Sequence, residues 1–385
     1  MRRRSAAVTA GPLMRRGPRP LLLHLTLARL KSNASATASP SSNAALPHWS
    51  GAPDPALIAG IAAYRRHPWR RQLGDPPAIW SEGETRMLDY GGSGPPVLFV
   101  PSLVNRAHVL DLMPERSMLR AMAASGGARV LLLDWGWPGA VERPFTLTDY
   151  IAGRLERALL AAPPGLVLAG YCMGGLLALA AAQRRPDRVA AHVLLATPWD
   201  FHAADPARAT TLARLLPQLE PLMALTGRLP VDALQMLFAM LGPEAIADKY
   251  RRFGRTDQDS DRARGFVALE DWLNDGVPLA APVARACLAE WYGANAPACL
   301  AWRVAGQVID PRTLAMPSFV AIPSRDQIVP PETAAPLATL IPGAVRHDPQ
   351  AGHIGMVAGS TAHRALWQPL LEWLGTLPLP DRTIA

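Results

Sequence analysis

From about Thr85 onward the chain alternates short, unbroken apolar runs with longer stretches of helical spacing. Met87–Tyr90 and Val97–Val100 read as strands joined by a hairpin turn at Gly91, Gly92 and Gly94. Arg129–Leu133, Leu166–Ala169, His192–Leu195, Ser318–Ile322 and Val345–His347 also read as strands, because runs without polar alternation suit a sheet covered on both faces. Thr148–Ala161, Gly174–Gln183 and Thr361–Leu374 have helical spacing, with Leu155 and Leu159 an i, i+4 pair. The alternation predicts a mostly parallel sheet with helices on both faces. It breaks after Phe201, and from Ala207 to about Tyr292 the pattern is helical without a strand. The expected organisation is therefore a core of residues 85–201 and 311–385, with a helical cap or lid inserted at 202–310. Residues 54–84 form a helical lead-in, opened by Asp54 as N-cap and Pro55 in the first turn of an Asp54–Arg66 helix. No period of 20–50 residues repeats, which excludes a solenoid.

The expected strand at Leu166–Ala169 runs into Gly170-Tyr171-Cys172-Met173-Gly174 and then a small-residue helix. A nucleophile between two glycines, on a sharp turn from strand to helix, is the elbow of the α/β-hydrolase fold, here with cysteine for serine. The turn needs small neighbours because its central residue is strained, and Gly175 would let the helix pack closely on the sheet. The helix beginning at Met173 points its positive end at the sulfur. On this fold the acid and the histidine follow the nucleophile in chain order, beyond the last strands. Asp326 follows the Ser318–Ile322 strand, and His353 follows Val345–His347 between Gly352 and Gly355. Asp348 competes as the acid, but it lies close to His353 in sequence. In these roles His353 takes the proton of Cys172 and Asp326 orients the imidazole or assists an attacking hydroxyl. The N–H groups of Met173 and of Val104, or a neighbour of Val104, would hold an oxyanion.

Charge changes the picture less than its size suggests. The net charge is +8, yet eight basic residues precede Asp54, and the remaining 31 balance 31 acidic ones. The excess belongs to residues 1–53, read as a basic, disordered tail, so no nucleic-acid groove is expected. Its composition also suits a transit peptide or a start at Met14, and its leucines at 21–23, 25 and 27 are too few for a transmembrane segment. The three cysteines include no C-x-x-C pair, which argues against a disulfide framework or a zinc ribbon and for reduced thiols in a cytoplasm. Cys287 and Cys299 lack the context of Cys172 and read as core thiols. No metal-ligand spacing occurs, and Gly91-Gly92-Ser93-Gly94 does not open a helix as a dinucleotide loop would.

Further segments carry a likeness. Val97-Leu98-Phe99-Val100-Pro101-Ser102-Leu103-Val104-Asn105-Arg106, Val109-Leu110-Asp111-Leu112, Leu133-Asp134-Trp135-Gly136, Thr148-Asp149-Tyr150-Ile151, Thr197-Pro198 and Asp200-Phe201, with the three motifs above, resemble the polyhydroxyalkanoate synthases over about residues 85–375. Gln327 and Trp199 depart from the family pattern. The resemblance implies that Cys172 takes a 3-hydroxyacyl group from coenzyme A and passes it to a growing polyester chain, acyl-CoA being substrate and no cofactor being needed. It also implies a homodimer, an accessory synthase subunit suggested by the chain's size, and cytoplasmic attachment to polymer granules. The same residues would serve a thioesterase, an esterase or an intracellular polyester depolymerase, and a catalytically silent granule-associated relative would share the fold.

Overall fold

The apolar runs pair into one eight-stranded sheet in a computed structural model that describes residues 15–25, 54–240 and 243–378. In chain order the strands are β1 (Ala78–Glu82), β2 (Thr85–Gly91), β3 (Pro96–Val100), β4 (Arg129–Asp134), β5 (Leu166–Tyr171), β6 (Val189–Leu195), β7 (Ser318–Ala321) and β8 (Val345–His347). Their spatial order is β1-β2-β4-β3-β5-β6-β7-β8. The β1–β2 and β2–β4 pairs are antiparallel and all others are parallel. Every residue of β5 is buried, as a central strand packed on both faces requires, whereas β1 at one edge alternates towards solvent. Because β3 leads outward to β4 and the chain then returns to β5, the strand order switches direction between β3 and β5. A crevice opens at the carboxyl ends of such strands, which is where this architecture places ligands.

Several expectations are corrected in detail. β2 and β3 do not form a hairpin, since β4 lies between them and pairs with both. The glycine-rich link therefore spans a neighbouring strand instead of closing a two-strand turn. The lead-in is not wholly helical, because Ala78–Glu82 is the edge strand β1. The helix expected over Thr148–Ala161 starts as a wider π turn at Asp149–Leu155 before Glu156–Ala161 becomes α-helical. The expected all-helical insertion contains a small antiparallel ladder, Arg228–Leu229 on Leu279–Ala280.

The described residues form two compact units. The smaller contains those up to Arg70 and those of Gly242–Asn274, and the larger contains the rest. The 202–310 segment is thus shared between them. In the larger unit its flanks bury Leu219, Met223, Leu234, Val283 and Trp291 in the same cluster as Leu98, Leu168 and Leu177 of the sheet and its covering helix. In the smaller unit the helices Pro55–Arg66, Pro243–Phe253 and Asp261–Asn274 enclose Leu57, Ile61, Tyr64, Tyr250, Phe253 and Val267. Asp54 caps the first of these by accepting from Leu57 N–H at 3.0 Å. Residues 1–14 and 26–53 of the expected tail lie outside the described residues. Residues 15–25 are ordered, because Arg15 is buried with Asp271 at 2.6 Å and bonds the carbonyls of His67 and Trp69. Leu21 and Leu25 pack against the same cluster.

Candidate active site

At the end of β5 the chain turns through Cys172 at φ 57° and ψ −131°, and a helix starts at once, Met173–Arg184. Positive φ is uncommon for a residue with a Cβ, so the surroundings must hold it there. Cys172 N–H donates to Leu195 O at 2.8 Å, and Cys172 O accepts from Gly175 N–H at 2.9 Å. A Cβ at Gly174 would fall 2.2 Å from Val100 O, and one at Gly175 1.8 Å from Thr197 Oγ1. The first helical turn is therefore pressed between the ends of β3 and β6, a fit that only glycines allow. Cys172 is left half-buried at the carboxyl edge of the sheet, with a helix N-terminus directed at it.

The acid and the histidine come from the two strands beyond. Asp326 lies in the turn after β7, 4% exposed. Its Oδ1 accepts from Ile328 N–H at 2.8 Å and Val329 N–H at 2.9 Å, which fixes the carboxylate by backbone alone. Its Oδ2 stands 2.7 Å from Nδ1 of His353, the first residue of the helix His353–Ala358 after β8. That contact makes Nδ1 the protonated nitrogen and leaves Nε2 for the sulfur. Burial by itself lowers the imidazole's pKa. The charge on Cys172, the hydrogen bonds to Asp326 and Cys172, and the charge on Asp326 together outweigh it and push His353 up to about 10. Tyr171 supports the ring from beneath, with its centroid 5.1 Å away and its hydroxyl donating to His353 O at 3.3 Å.

The structure thus brings together Cys172, His353 and Asp326. Asp348 is exposed and paired with Arg346 at 3.0 Å. Gln327 is exposed as well, so its side chain leaves the Asp326–His353 contact undisturbed. Cys287 is half-buried, and burial followed by the charge of Glu290 raises its thiol pKa far above the ordinary value. Cys299, expected in the core, is exposed, since it lies in an irregular turn after Asn295. Of the two oxyanion donors, Met173 opens its helix and so has no intrahelical acceptor for its N–H. Val104 N–H is already spent on Ser102 Oγ at 3.0 Å. The serine two residues earlier was the overlooked signal, because such hydroxyls take nearby backbone N–H groups in turns.

Tyr171 and Tyr292 escaped the sequence reading. Tyr292 lies in the π turn Cys287–Gly293 of the insertion. Burial, then the charges of Cys172 and Cys287, raise its phenol pKa, which puts the ring within electrostatic reach of the nucleophile. Phe201 packs edge-on to Tyr292 at 5.0 Å and stacks on Trp291 at 5.7 Å, while His202 Nε2 meets Tyr292 O at 2.8 Å.

The alpha/beta hydrolase fold profile matches residues 95–359, spanning the elbow, Asp326 and His353. The chain belongs to the alpha/beta hydrolase fold family. Within that family its relatives include poly(3-hydroxyalkanoate) polymerase subunits named PhaC. The one from Haloferax mediterranei is 27% identical, covering 79% of this chain and 65% of that protein. The one from Allochromatium vinosum is 28% identical, over 72% of this chain and 80% of its own length. That from Synechocystis is also 28% identical, over 72% and 77%. The likeness to polyhydroxyalkanoate synthases read from the motifs therefore extends over most of the chain. Among solved structures, the thioesterase domain from the curacin biosynthetic pathway is 16% identical with a TM-score of 0.46, covering 76% of this chain and 95% of that domain. Among the described residues no helix is long and apolar enough to cross a membrane.

Proposed function

We propose that the chain is an acyltransferase that polymerises 3-hydroxyacyl groups from coenzyme A thioesters through a covalent acyl-Cys172 intermediate. The observation that carries this reading is a cysteine at the elbow, where hydrolases of the fold use serine, beside an imidazole held by Asp326 at 2.7 Å. An imidazole so placed can take the thiol proton and leave a thiolate, the form of cysteine that attacks carbonyls. Exchange between two thioesters is nearly isoenergetic, so the acyl group stays activated for transfer to a hydroxyl. The names of the relatives, polymerase subunits, support polymerisation as the outcome and a partner subunit as a further proposal. Homodimerisation and attachment to a granule surface belong to the same proposal.

In the reaction the Cys172 thiolate adds to the thioester carbonyl. Met173 N–H and an N–H of the loop after β3, other than that of Val104, would receive the oxyanion. The carbon–sulfur bond to coenzyme A then breaks, and its thiolate takes the His353 proton. A 3-hydroxyl of another acyl unit attacks acyl-Cys172 and gives its proton to the now neutral His353. The ester forms, the Cys172 thiolate leaves, and Asp326 has kept the imidazole oriented throughout. Phe201 at the end of the core segment, with Trp291 and Tyr292 of the insertion, would cap the site and hold water away from the acyl-enzyme.

The test incubates the protein with 3-hydroxybutyryl-CoA, follows released coenzyme A, and identifies the acyl product by mass and solubility. High-mass polyester from the wild type and none from Cys172→Ala is expected. Free 3-hydroxybutyrate as the sole product would replace transfer by hydrolysis.

A further inference from the structure

Among the arginines of the larger unit without a carboxylate partner, two lie beside each other, the exposed Arg143 and the half-buried Arg228. Arg154, fully buried, is matched by Glu142 at 3.2 Å and Glu82 at 3.1 Å, and Arg184 by Glu156 at 2.6 Å. Arg143 and Arg228 have no carboxylate partner among the described residues. The acid beside Arg143 in sequence, Glu142, is buried and committed to Arg154, Gly139 N–H and Glu84 N–H. Arg228 Nε is buried and has no acceptor among the described residues. An N–H of a charged group buried without an acceptor is costly, and more so beside a like charge.

The two side chains flank one glycine. Gly227, at φ 68°, closes the helix Leu216–Thr226, and a Cβ there would lie 3.3 Å from Arg143 Cδ. The stem of Arg143 therefore rests on the backbone that leads directly into Arg228. That backbone is fixed on both sides: Ala281 N–H donates to Gly227 O at 3.1 Å, and Arg228 pairs with Ala280 in the two-residue ladder. Burial and then the charge of Arg143 lower the pKa of the Arg228 guanidinium.

The pair also lies at the functional edge of the sheet. Arg143 is in the loop that leaves the carboxyl end of β4, and that loop is tied to the β3 loop by Trp135 Nε1–H donating to Pro101 O at 2.9 Å. Leu229, next to Arg228, is buried in the same cluster as Met173 of the elbow. We propose that Arg143 and Arg228 form a binding site for the phosphates of a coenzyme A thioester. Two guanidinium forks without an acid match the geometry and charge of a phosphoanhydride or phosphomonoester. In a coenzyme A thioester the pantetheine arm separates those phosphates from the reacting carbonyl, so a receptor displaced from Cys172 along the same edge is what the ligand requires. This rests on the reading of the substrate as an acyl-CoA.

The experiment is calorimetric titration of the whole chain with coenzyme A, dephospho-coenzyme A, inorganic pyrophosphate and pantetheine. Arg143→Gln and Arg228→Gln, checked for fold by thermal melting, should each bind coenzyme A about tenfold more weakly, with partial recovery in Arg228→Lys. Pantetheine should bind both variants as it binds the wild type. Loss with coenzyme A but not with dephospho-coenzyme A assigns the pair to the 3′-phosphate, and loss with both assigns it to the phosphoanhydride. Unchanged coenzyme A affinity in both variants, or no coenzyme A binding by the wild type, overturns the site. The functional reading fails separately, if a phosphate-free 3-hydroxybutyryl thioester of N-acetylcysteamine does not acylate Cys172.

Discussion

Two buried carboxylates organise the larger unit, and they do opposite things. Asp111 is 0% exposed and lies at the centre of a closed set. It accepts from Ser117 Oγ at 2.6 Å, Arg120 Nε at 2.8 Å, Arg71 Nη2 at 3.0 Å and Tyr90 OH at 3.2 Å. Asp326 is nearly as buried, but it spends one oxygen on two backbone N–H groups and the other on His353. Every donor to Asp111 keeps its proton near neutral pH, and Tyr90 is pushed further from ionising by burial and by the charge of Asp111 itself. The donor to Asp326 is an imidazole whose far nitrogen faces Cys172. Burial is similar in the two cases; what differs is whether the partner can pass a proton on. A saturated carboxylate ties loops together, and one that orients a titratable ring serves chemistry.

The contrast breaks most visibly at the sulfur. Cys172→Ala should abolish acyl transfer and acyl-enzyme formation by mass spectrometry, with the fold intact by circular dichroism; a collapsed variant would mean that the elbow is held by its side chain and not by Val100, Leu195 and Thr197. Next in size, Asp326→Asn should lower kcat/KM by roughly 10²–10⁴-fold while shifting the melting temperature little, because the amide oxygen can keep both backbone bonds. Asp111→Ala should do the reverse. It leaves two guanidinium groups unmatched around a buried gap and should cost about 3 kcal/mol in urea unfolding, with kcat/KM per folded molecule near the wild-type value. If Asp111→Ala instead lost activity without losing stability, the division between the two carboxylates would be wrong.

The sequence made the elbow legible because each of its requirements leaves a mark: an all-apolar β5, glycines on both sides of Cys172, and a small-residue helix. Asp326 and His353 followed from chain order after two recognisable strands. What stayed hidden depended on side chains meeting across distant segments. The commitment of Val104 N–H to a hydroxyl, the exposure of Cys299, and the approach of Tyr292 to the nucleophile are set by packing, which no local period encodes. The pairing of β4 between β2 and β3 was equally invisible, since apolar runs say that strands are buried but not which neighbours they choose. The division of residues 202–310 between two units was hidden for the same reason: helical spacing looks alike whichever core it serves.

The two carboxylates also separate without kinetics, in the pH dependence of stability. The pKa of His353 is raised from 6.5 to about 10 on folding. A raised pKa means that the folded state holds the proton more tightly. Its contribution is therefore full below pH 6.5 and is lost as pH rises through about 10. Stability measured by urea titration, taken as wild type minus His353→Gln, should be largest at pH 6 and shrink steadily towards pH 10. The same difference taken against Asp111→Ala should stay level from pH 6.5 to 9, because Arg71, Arg120, Ser117 and Tyr90 do not change charge there. A level curve for His353→Gln would show that the sulfur and Asp326 do not hold the imidazole charged, and would leave Asp326 as structural as Asp111.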